Sequence, residues 1–375
     1  IAGPSLAALA AGKRSAAISV CDITRPAHNP VVLPPLLKRL LAAGIPKDGI
    51  RILIATGLHR RATAAEIRQI VGEETAANFQ VLNHDARNAA EHRRLGVTRS
   101  GTPVLVDARF IDADLHLSLG FIEPHLMLGF SGGRKLVAPG LAAEATIKEL
   151  HSSRFMRDPR ASEGSVDDNP LHAELLEIAR LARHDFIVDV SLTRERKIAA
   201  VFAGEPEAAH RAGMKWVSGS LMQKLDRAFD AVITTGAGYP LDMTFYQSIK
   251  GITAASHVVR QGGKILLFGA CDEGVGAPEF TRMVCEHASD KAFMKSIEGV
   301  PVTVDQWQLE KLALATQKAE VSYCVPGVPQ EFMRGLWGPG FRDPSEAVAA
   351  LFAQMPVNSR IAVIPEGPYV LAAVA

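Results

Sequence analysis

Two histidines, a lysine and a glycine pair lie within residues 120–152, GFIEPHLMLGFSGGRKLVAPGLAAEATIKELHS, among positions that are otherwise mostly apolar or small. Imidazole suits proton transfer near neutral pH and also binds metals, so His125 and His151 are candidates for either role. In the turn Ser131-Gly132-Gly133-Arg134-Lys135, glycines let backbone N–H groups approach an anion while Arg134 and Lys135 supply charge. A phosphate-bearing ligand fits that turn. Lys135 has two readings that residue type alone does not separate: a covalent lysine, as in a Schiff base, or a phosphate-binding one.

Of the twelve histidines, His59, His125 and His151 stand apart, because each ends an apolar segment beside a glycine-rich or polar turn. Three such residues suit a zinc hydrolase, although Glu123 is the only acid near enough in sequence to serve as its base. Alternatively two work as acid and base while the third holds a metal or cofactor. A third class of reading makes the histidines structural and the chain a binding protein for phosphorylated ligands.

These side chains need elements to carry them. Residues 16–20 (AAISV) and 50–55 (IRILIA) are apolar strands separated by a helical pattern over 31–43, which implies a parallel pair with a right-handed crossover. The first strand runs into Asp22 and Arg25 and the second into His59, so both polar clusters fall at one edge of one sheet. Residues 112–122 lead in as a strand to Glu123-Pro124, placing His125 at a strand end, where α/β sheets bind ligands. Ala142 to His151 has helix-forming composition. Farther on, 186–192 and 198–203 suggest a hairpin, and FDAVITT (229–235) opens a fresh strand–turn–helix pattern. The helix after it carries Tyr246, Gln247 and Lys250, the last two sharing a face.

The expected architecture is α/β, with two α/β domains of mostly parallel sheets and an active-site cleft between them. An N-terminal domain over 1–222 carries the lysine and histidines, a C-terminal domain over 223–358 contributes Gln247 and Lys250, and 359–375 is a terminal strand able to return to the first domain. The chain has 375 residues, more than the roughly 250–300 that one core usually serves. With 47% hydrophobic residues and a net charge of +1, a nucleic-acid or anionic-membrane partner is not indicated. Cys21, Cys271, Cys285 and Cys324 are scattered without a C-x-x-C pair, which favours a reducing, cytoplasmic setting. The chain opens at Ile1 rather than methionine, which leaves a removed leader open.

Two familiar motifs fail on inspection. Gly236-x-Gly238 follows a strand but lacks the third glycine of a dinucleotide fingerprint and has Pro240 inside it. The 129–135 turn departs from a P-loop, since Arg134 stands where glycine is required and no Ser or Thr follows Lys135.

CDITRP (21–26), IATGLHR (54–60), EPHLMLGFSGGRKLVAPG (123–140), His151, YPLDMTFYQSIK (239–250) and DQWQ (305–308) together resemble the lactate racemase family, nickel-pincer enzymes that racemise or epimerise 2-hydroxy acids. The resemblance implies a nickel-pincer nucleotide (nickel pyridinium-3,5-bisthiocarboxylic acid mononucleotide), loaded by cofactor-synthesis proteins and joined covalently to Lys135. Its nickel would be bound by the pincer and His151, and its phosphate by Ser131, Gly132 and Gly133. Asp22 and Arg25 match the family's first polar cluster, Asp22 on the cofactor side and Arg25 toward the substrate carboxylate. His59 and His125 correspond to the acid/base histidines, while Gln247 and Lys250 would meet a small 2-hydroxy acid, with Tyr246 and Trp307 as walls. The implied mechanism takes the hydroxyl proton on one histidine and passes the C–H hydrogen as hydride to the pincer. A 2-keto acid forms, and hydride returns to its opposite face. Leu58, where a small polar residue is more usual, and Leu126-Met127-Leu128 after His125 suggest a pocket for an aliphatic side chain, or one larger than lactate's methyl.

Overall fold

The apolar run Ala16–Cys21 becomes the inner strand of a six-stranded sheet, and all six of its residues are buried. Strands covered on both faces read as continuous hydrophobic sequence rather than alternating, which is why this one was visible in the sequence. The computed structural model describes residues 1–374. They divide into two compact units: Ile1–Glu123, Leu128–Leu150 and Ser165–Gly219 in the first, and Pro124–Met127, His151–Gly164 and the remainder from Ser220 in the second.

In the first unit the strand order is Ile198–Gly204, Phe186–Leu192, His116–Phe121, Ala16–Cys21, Ile50–Ala55, Gln80–Asn83. Neighbours are parallel except the Phe186–Leu192/Ile198–Gly204 hairpin, which is antiparallel as its short connection requires. The chain runs outward in one direction from Ala16–Cys21 and then returns to its other side at His116–Phe121. That reversal is a topological switch point, and the crevice beyond the strand ends there is where such sheets hold ligands. The Asn29–Ala42 helix lays Leu33, Leu36, Leu37 and Leu40 on the sheet. A capping box between Thr63 and Glu66 starts the next helix. Gly72, at φ 88°, breaks it and sends Glu73–Asn78 off as a separate helix.

The second unit holds a five-stranded parallel sheet ordered Gly340–Phe341, Ala319–Cys324, Val259–Phe268, Phe229–Thr235, Ile361–Ile364. Its core includes Phe245, Ile249, Ile252, Leu267, Phe280, Phe293, Leu309 and Leu312. Both units are thus α/β with mostly parallel sheets, as expected. Among the described residues, no helix is long and apolar enough to cross a membrane.

Two boundaries differ from expectation. Of the expected terminal strand over 359–375, the described residues do not return to the first unit, because Ile361–Ile364 pairs with Phe229–Thr235 and Leu371–Val374 with Met222–Leu225, all in the second. The 1–222 boundary also fails locally. Residues 151–164 are tied to the second unit by Arg157 Nε to Glu310 Oε1 (2.6 Å) and Lys311 Nζ to the Met156 carbonyl (2.9 Å), and Pro124–Met127 groups there as well. His125 and His151 therefore belong to the second unit, and Lys135 and His59 to the first.

A buried ion network braces the segment after Lys135. Asp107, fully buried, accepts from Arg109 Nε (2.8 Å) and His84 Nδ1 (2.9 Å), and His84 Nε2 reaches the Ala142 carbonyl at 3.0 Å. Burial alone would raise the Asp107 carboxyl, but the bonds from Arg109 and His84 win and hold it well below the usual carboxylate range. Asp107→Asn is expected to cost about 3–5 kcal/mol in urea unfolding at neutral pH. Because the folded-state value is depressed, this contribution is complete above the ordinary carboxylate range near ~4 and is lost as pH falls. The variant should therefore show a shallower loss of stability on acidification than the native chain.

Candidate functional site

The first unit's site starts where the Ala16–Cys21 strand ends. Asp22, 8% exposed, receives hydrogen bonds at Oδ1 from Thr24 N–H (3.1 Å) and the Thr24 hydroxyl (2.6 Å), and its Oδ2 lies 2.6 Å from His59 Nδ1. Burial opposes ionisation of Asp22, yet the charge of His59 and the bonds from His59 and Thr24 outweigh it and hold the carboxyl below its ordinary range. An ionised Asp22 fixes the His59 proton on Nδ1 and leaves Nε2 as the basic nitrogen. The parallel pairing of the two strands brings Cys21 level with Ala55, so residues 37 apart in sequence meet just past the sheet edge.

Arg25 stands beside this dyad, its Nε 3.0 Å from Glu123 Oε1, with both side chains largely buried. The contact is an ion pair rather than an aligned hydrogen bond, since the Arg25 Nε–H does not point at the oxygen. Glu123 was noticed in the sequence only as a possible zinc-site base; here it is the counter-ion of Arg25.

Lys135 lies in the 3-10 turn Gly133–Leu136. Burial, then the neighbouring Arg25 guanidinium, lower its amine to about 7, against the opposing pull of Glu123, Cys21 and Asp22. The side chain keeps partial solvent access. A large fraction is thus the neutral, nucleophilic amine at physiological pH.

The turn before Lys135 is braced from within the unit. The Ser131 hydroxyl donates to the Phe121 carbonyl (2.7 Å) and accepts from Glu123 N–H (3.1 Å), and Gly133 N–H donates to Asp189 Oδ2 (2.8 Å). Gly132 and Gly133 have φ of 83° and 49°. A Cβ on Gly133 would sit 2.8 Å from His210 Cγ, and one on Gly132 at 2.8 Å from Asp189 Oδ2, so close approach as well as backbone conformation selects glycine. The amide and hydroxyl expected to receive a phosphate are therefore already engaged with protein groups in this arrangement. Arg134 also departs from its expected role as a ligand charge. Its guanidinium is buried, donating to the Leu128 carbonyl (2.9 Å) and contacting His210 Nδ1 (3.2 Å). Asp189 and His210 carried no signal in the sequence, because they lie 56 and 79 residues from their partners in the turn.

In the second unit His125 is 9% exposed, and its Nδ1 faces the Met127 N–H at 3.4 Å. As an acceptor there, the neutral ring carries its proton on Nε2, the complement of His59. His151 follows directly on the Glu144–Leu150 helix. Its ring centroid lies 4.3 Å from that of Trp307, at an interplanar angle of 39°. Trp307 Nε1 donates to the Tyr246 hydroxyl (3.0 Å), and Gln308 Nε2 to the Tyr246 carbonyl (2.9 Å). His151, Trp307 and Tyr246 thus form one connected group. Gln247 and Lys250 lie on the Phe245–Val258 helix, whose first turn is capped by the Thr244 hydroxyl; Gln247 Oε1 is buried without a hydrogen-bond partner. A zinc hydrolase needs several protein donors in one place, yet among the described residues no three His, Cys, Asp or Glu side chains group as a metal site.

Comparison with known proteins adds to this geometry. Residues 1–164 match the family model for the lactate racemase N-terminal domain and residues 225–372 that for the lactate racemase C-terminal domain. The chain is 34% identical to a lactate racemase of Thermoanaerobacterium thermosaccharolyticum, over 97% of its own length and 85% of the relative's. It is 33% identical to a lactate racemase of Lactiplantibacillus plantarum, over 98% and 87% respectively. Its fold superposes on the lactate racemase apoprotein of T. thermosaccharolyticum with a TM-score of 0.94, at 34% identity over 99% of this chain and 89% of that one. A Thermotoga maritima protein of 18% identity shares the fold with a TM-score of 0.74 over 98% of this chain and 97% of that one. The switch-point sheet with its Asp22–His59 dyad and neutral-range lysine is accordingly the N-terminal half of a member of the lactate racemase family.

Proposed function

We propose that the chain is a cytoplasmic isomerase that racemises a small 2-hydroxy acid of lactate's kind through a planar 2-keto acid. The observation that carries this reading is the cluster of Asp22, His59, Arg25 and Lys135 at the switch point of the first sheet. It offers an oriented base, a carboxylate-binding guanidinium and a reactive amine in one electrostatic neighbourhood. The two curated relatives, named lactate racemases, support lactate as the first substrate to try.

The residues present fit a nickel-pincer nucleotide in the two places that matter for its chemistry. An amine lowered to about 7 is suited to acylation, and His151 offers an imidazole held against Trp307 for a nickel that needs a nitrogen donor. The Ser131–Gly133 turn supports phosphate binding less directly, its hydroxyl and one amide being engaged already. When bound, the cofactor supplies a hydride acceptor, which proton chemistry alone does not offer to a carbon whose C–H is barely acidic.

The chain's own residues do the rest. His59 Nε2 takes the hydroxyl proton of one enantiomer, and Asp22 stabilises the imidazolium that results. His125, protonated on Nε2, performs the complementary transfer for the other enantiomer. Arg25 binds the substrate carboxylate while Glu123 fixes its orientation, and Gln247 and Lys250 supply further polar contacts, with Tyr246 and Trp307 as walls. Leu58 and Leu126–Leu128 favour an aliphatic substituent at C2.

The test is turnover: the chain co-produced with cofactor-synthesis proteins should interconvert D- and L-lactate, followed by chiral chromatography, and failure with every 2-hydroxy acid offered would refute the reading. His59→Ala is expected to lower kcat/KM by roughly 10²–10⁴, equally in both directions because the two enantiomers have equal free energy. Intact mass should show an adduct on the co-produced chain that Lys135→Arg lacks. In the chain produced without cofactor-synthesis proteins, competitive acetylation should give Lys135 a titration midpoint near 7, against ~10.4 for ordinary lysines. Across a panel of 2-hydroxy acids, kcat/KM should favour aliphatic side chains, and a strict preference for malate would contradict the apolar pocket.

A further inference from the structure

The helix Gln306–Lys318 turns one face toward the segment that carries His151. Trp307, Glu310 and Lys311 are three and four residues apart, so they share that face, and all three are buried, Glu310 completely. Trp307 lies against the His151 ring. Glu310 grips the same segment twice, through Arg157 Nε at 2.6 Å and the Ser153 hydroxyl at 3.1 Å. Lys311 Nζ donates to the carbonyls of Met156 (2.9 Å) and Ala161 (3.2 Å). At the segment's far end Glu163 pairs with His257. A stretch with little regular structure, 151–164, is thus pinned by buried charge at several points, the nearest only two residues from His151.

A carboxylate with no solvent exposure is costly to keep unless its partners satisfy it. Packing alone does not call for one here, since an apolar residue would cover the segment as well. What Glu310 adds is direction: one carboxylate accepts bonds from the Ser153 hydroxyl and Arg157 Nε and so restrains the chain just beyond His151, while Trp307, on the same helix, packs against the ring. We infer that Glu310 is a positioning residue for His151, holding its imidazole against Trp307 in the orientation from which it can bind a metal. The inference rests on the reading of His151 as the nickel ligand; partners bonded directly to a ligating histidine typically govern metal affinity by about 10–100-fold, and Glu310, acting through Ser153 and Arg157, falls at or below the lower end of that range.

The chain contains three tryptophans, Trp216, Trp307 and Trp337, so 5-fluorotryptophan labelling gives a resolvable fluorine spectrum in which Trp307→Phe identifies the Trp307 line. His151→Ala should move that line, which sets the scale. Glu310→Gln should move it most of the way to the same position, and Ser153→Ala, which removes one grip and no charge, part of the way. A Trp307 line at its native position in both variants would overturn the inference, as would a His151→Ala variant that leaves the line unmoved. Should Glu310→Gln not fold, Ser153→Ala decides by the same criterion. On chains co-produced with cofactor-synthesis proteins, nickel per Lys135 adduct should fall by up to about tenfold in Glu310→Gln while the adduct mass persists; unchanged nickel per adduct would overturn the role. If the native chain gains no adduct at all, the functional reading fails instead, and the fluorine displacement alone decides whether Glu310 orients His151.

Discussion

A carboxylate buried at the end of an inner strand has to be satisfied, and Asp22 meets that requirement by engaging His59 and Thr24. The strand itself, apolar on both faces, admits no charge along its length, so polar chemistry is expelled to its carboxyl end. There the parallel neighbour brings His59, and the return of the chain on the other side brings Glu123 to face Arg25. The low-dielectric surroundings that make each unpaired charge expensive also depress the Lys135 amine. One constraint, burial of the sheet on both faces, thus sets the tautomer of the base, the pairing of the guanidinium and the reactivity of the lysine.

The turn that presents Lys135 obeys the same rule from beneath. Asp189 is pushed up to about 7 by burial, against the backbone bond from Gly133 and the nearby Arg134 charge. Arg134 is pulled down to about 9 by its own desolvation. Both groups sit on the protein side of the turn and brace the glycines, so that a positively charged residue and a lysine adjacent in sequence have opposite fates. Arg134 becomes structure and Lys135 remains available for chemistry.

Much of this was legible. Residues 16–20, 50–55 and 229–235 are long apolar runs with turn residues behind them, and strands buried on both faces announce themselves that way. His59, His125 and His151 stood out by their position at the ends of apolar segments, and Lys135 by the glycine-containing turn that holds it. The direction of Arg134 was not legible, because a side chain's facing within an irregular turn depends on what lies beneath, here His210 from a distant helix. Glu310 carried no signal either, since an acid on an amphipathic helix ordinarily faces solvent. Helix Asp290–Ser296 carried little signal because it is short and buries only Phe293 among Asp290, Lys291 and Lys295. The placement of 151–164 and of the last strand was hidden for a different reason: both are set by tertiary pairing with no local counterpart.

The pairing of Leu371–Val374 with Met222–Leu225 closes the second unit with residues that are made long after those of the first. The first unit is complete in sequence by Gly219, and domains generally fold in the order of synthesis. On the ribosome, the lysine-bearing sheet can therefore be finished while the partners that seat His151 are still being translated, so the chain passes through a stage in which its amine is in place before its imidazole is.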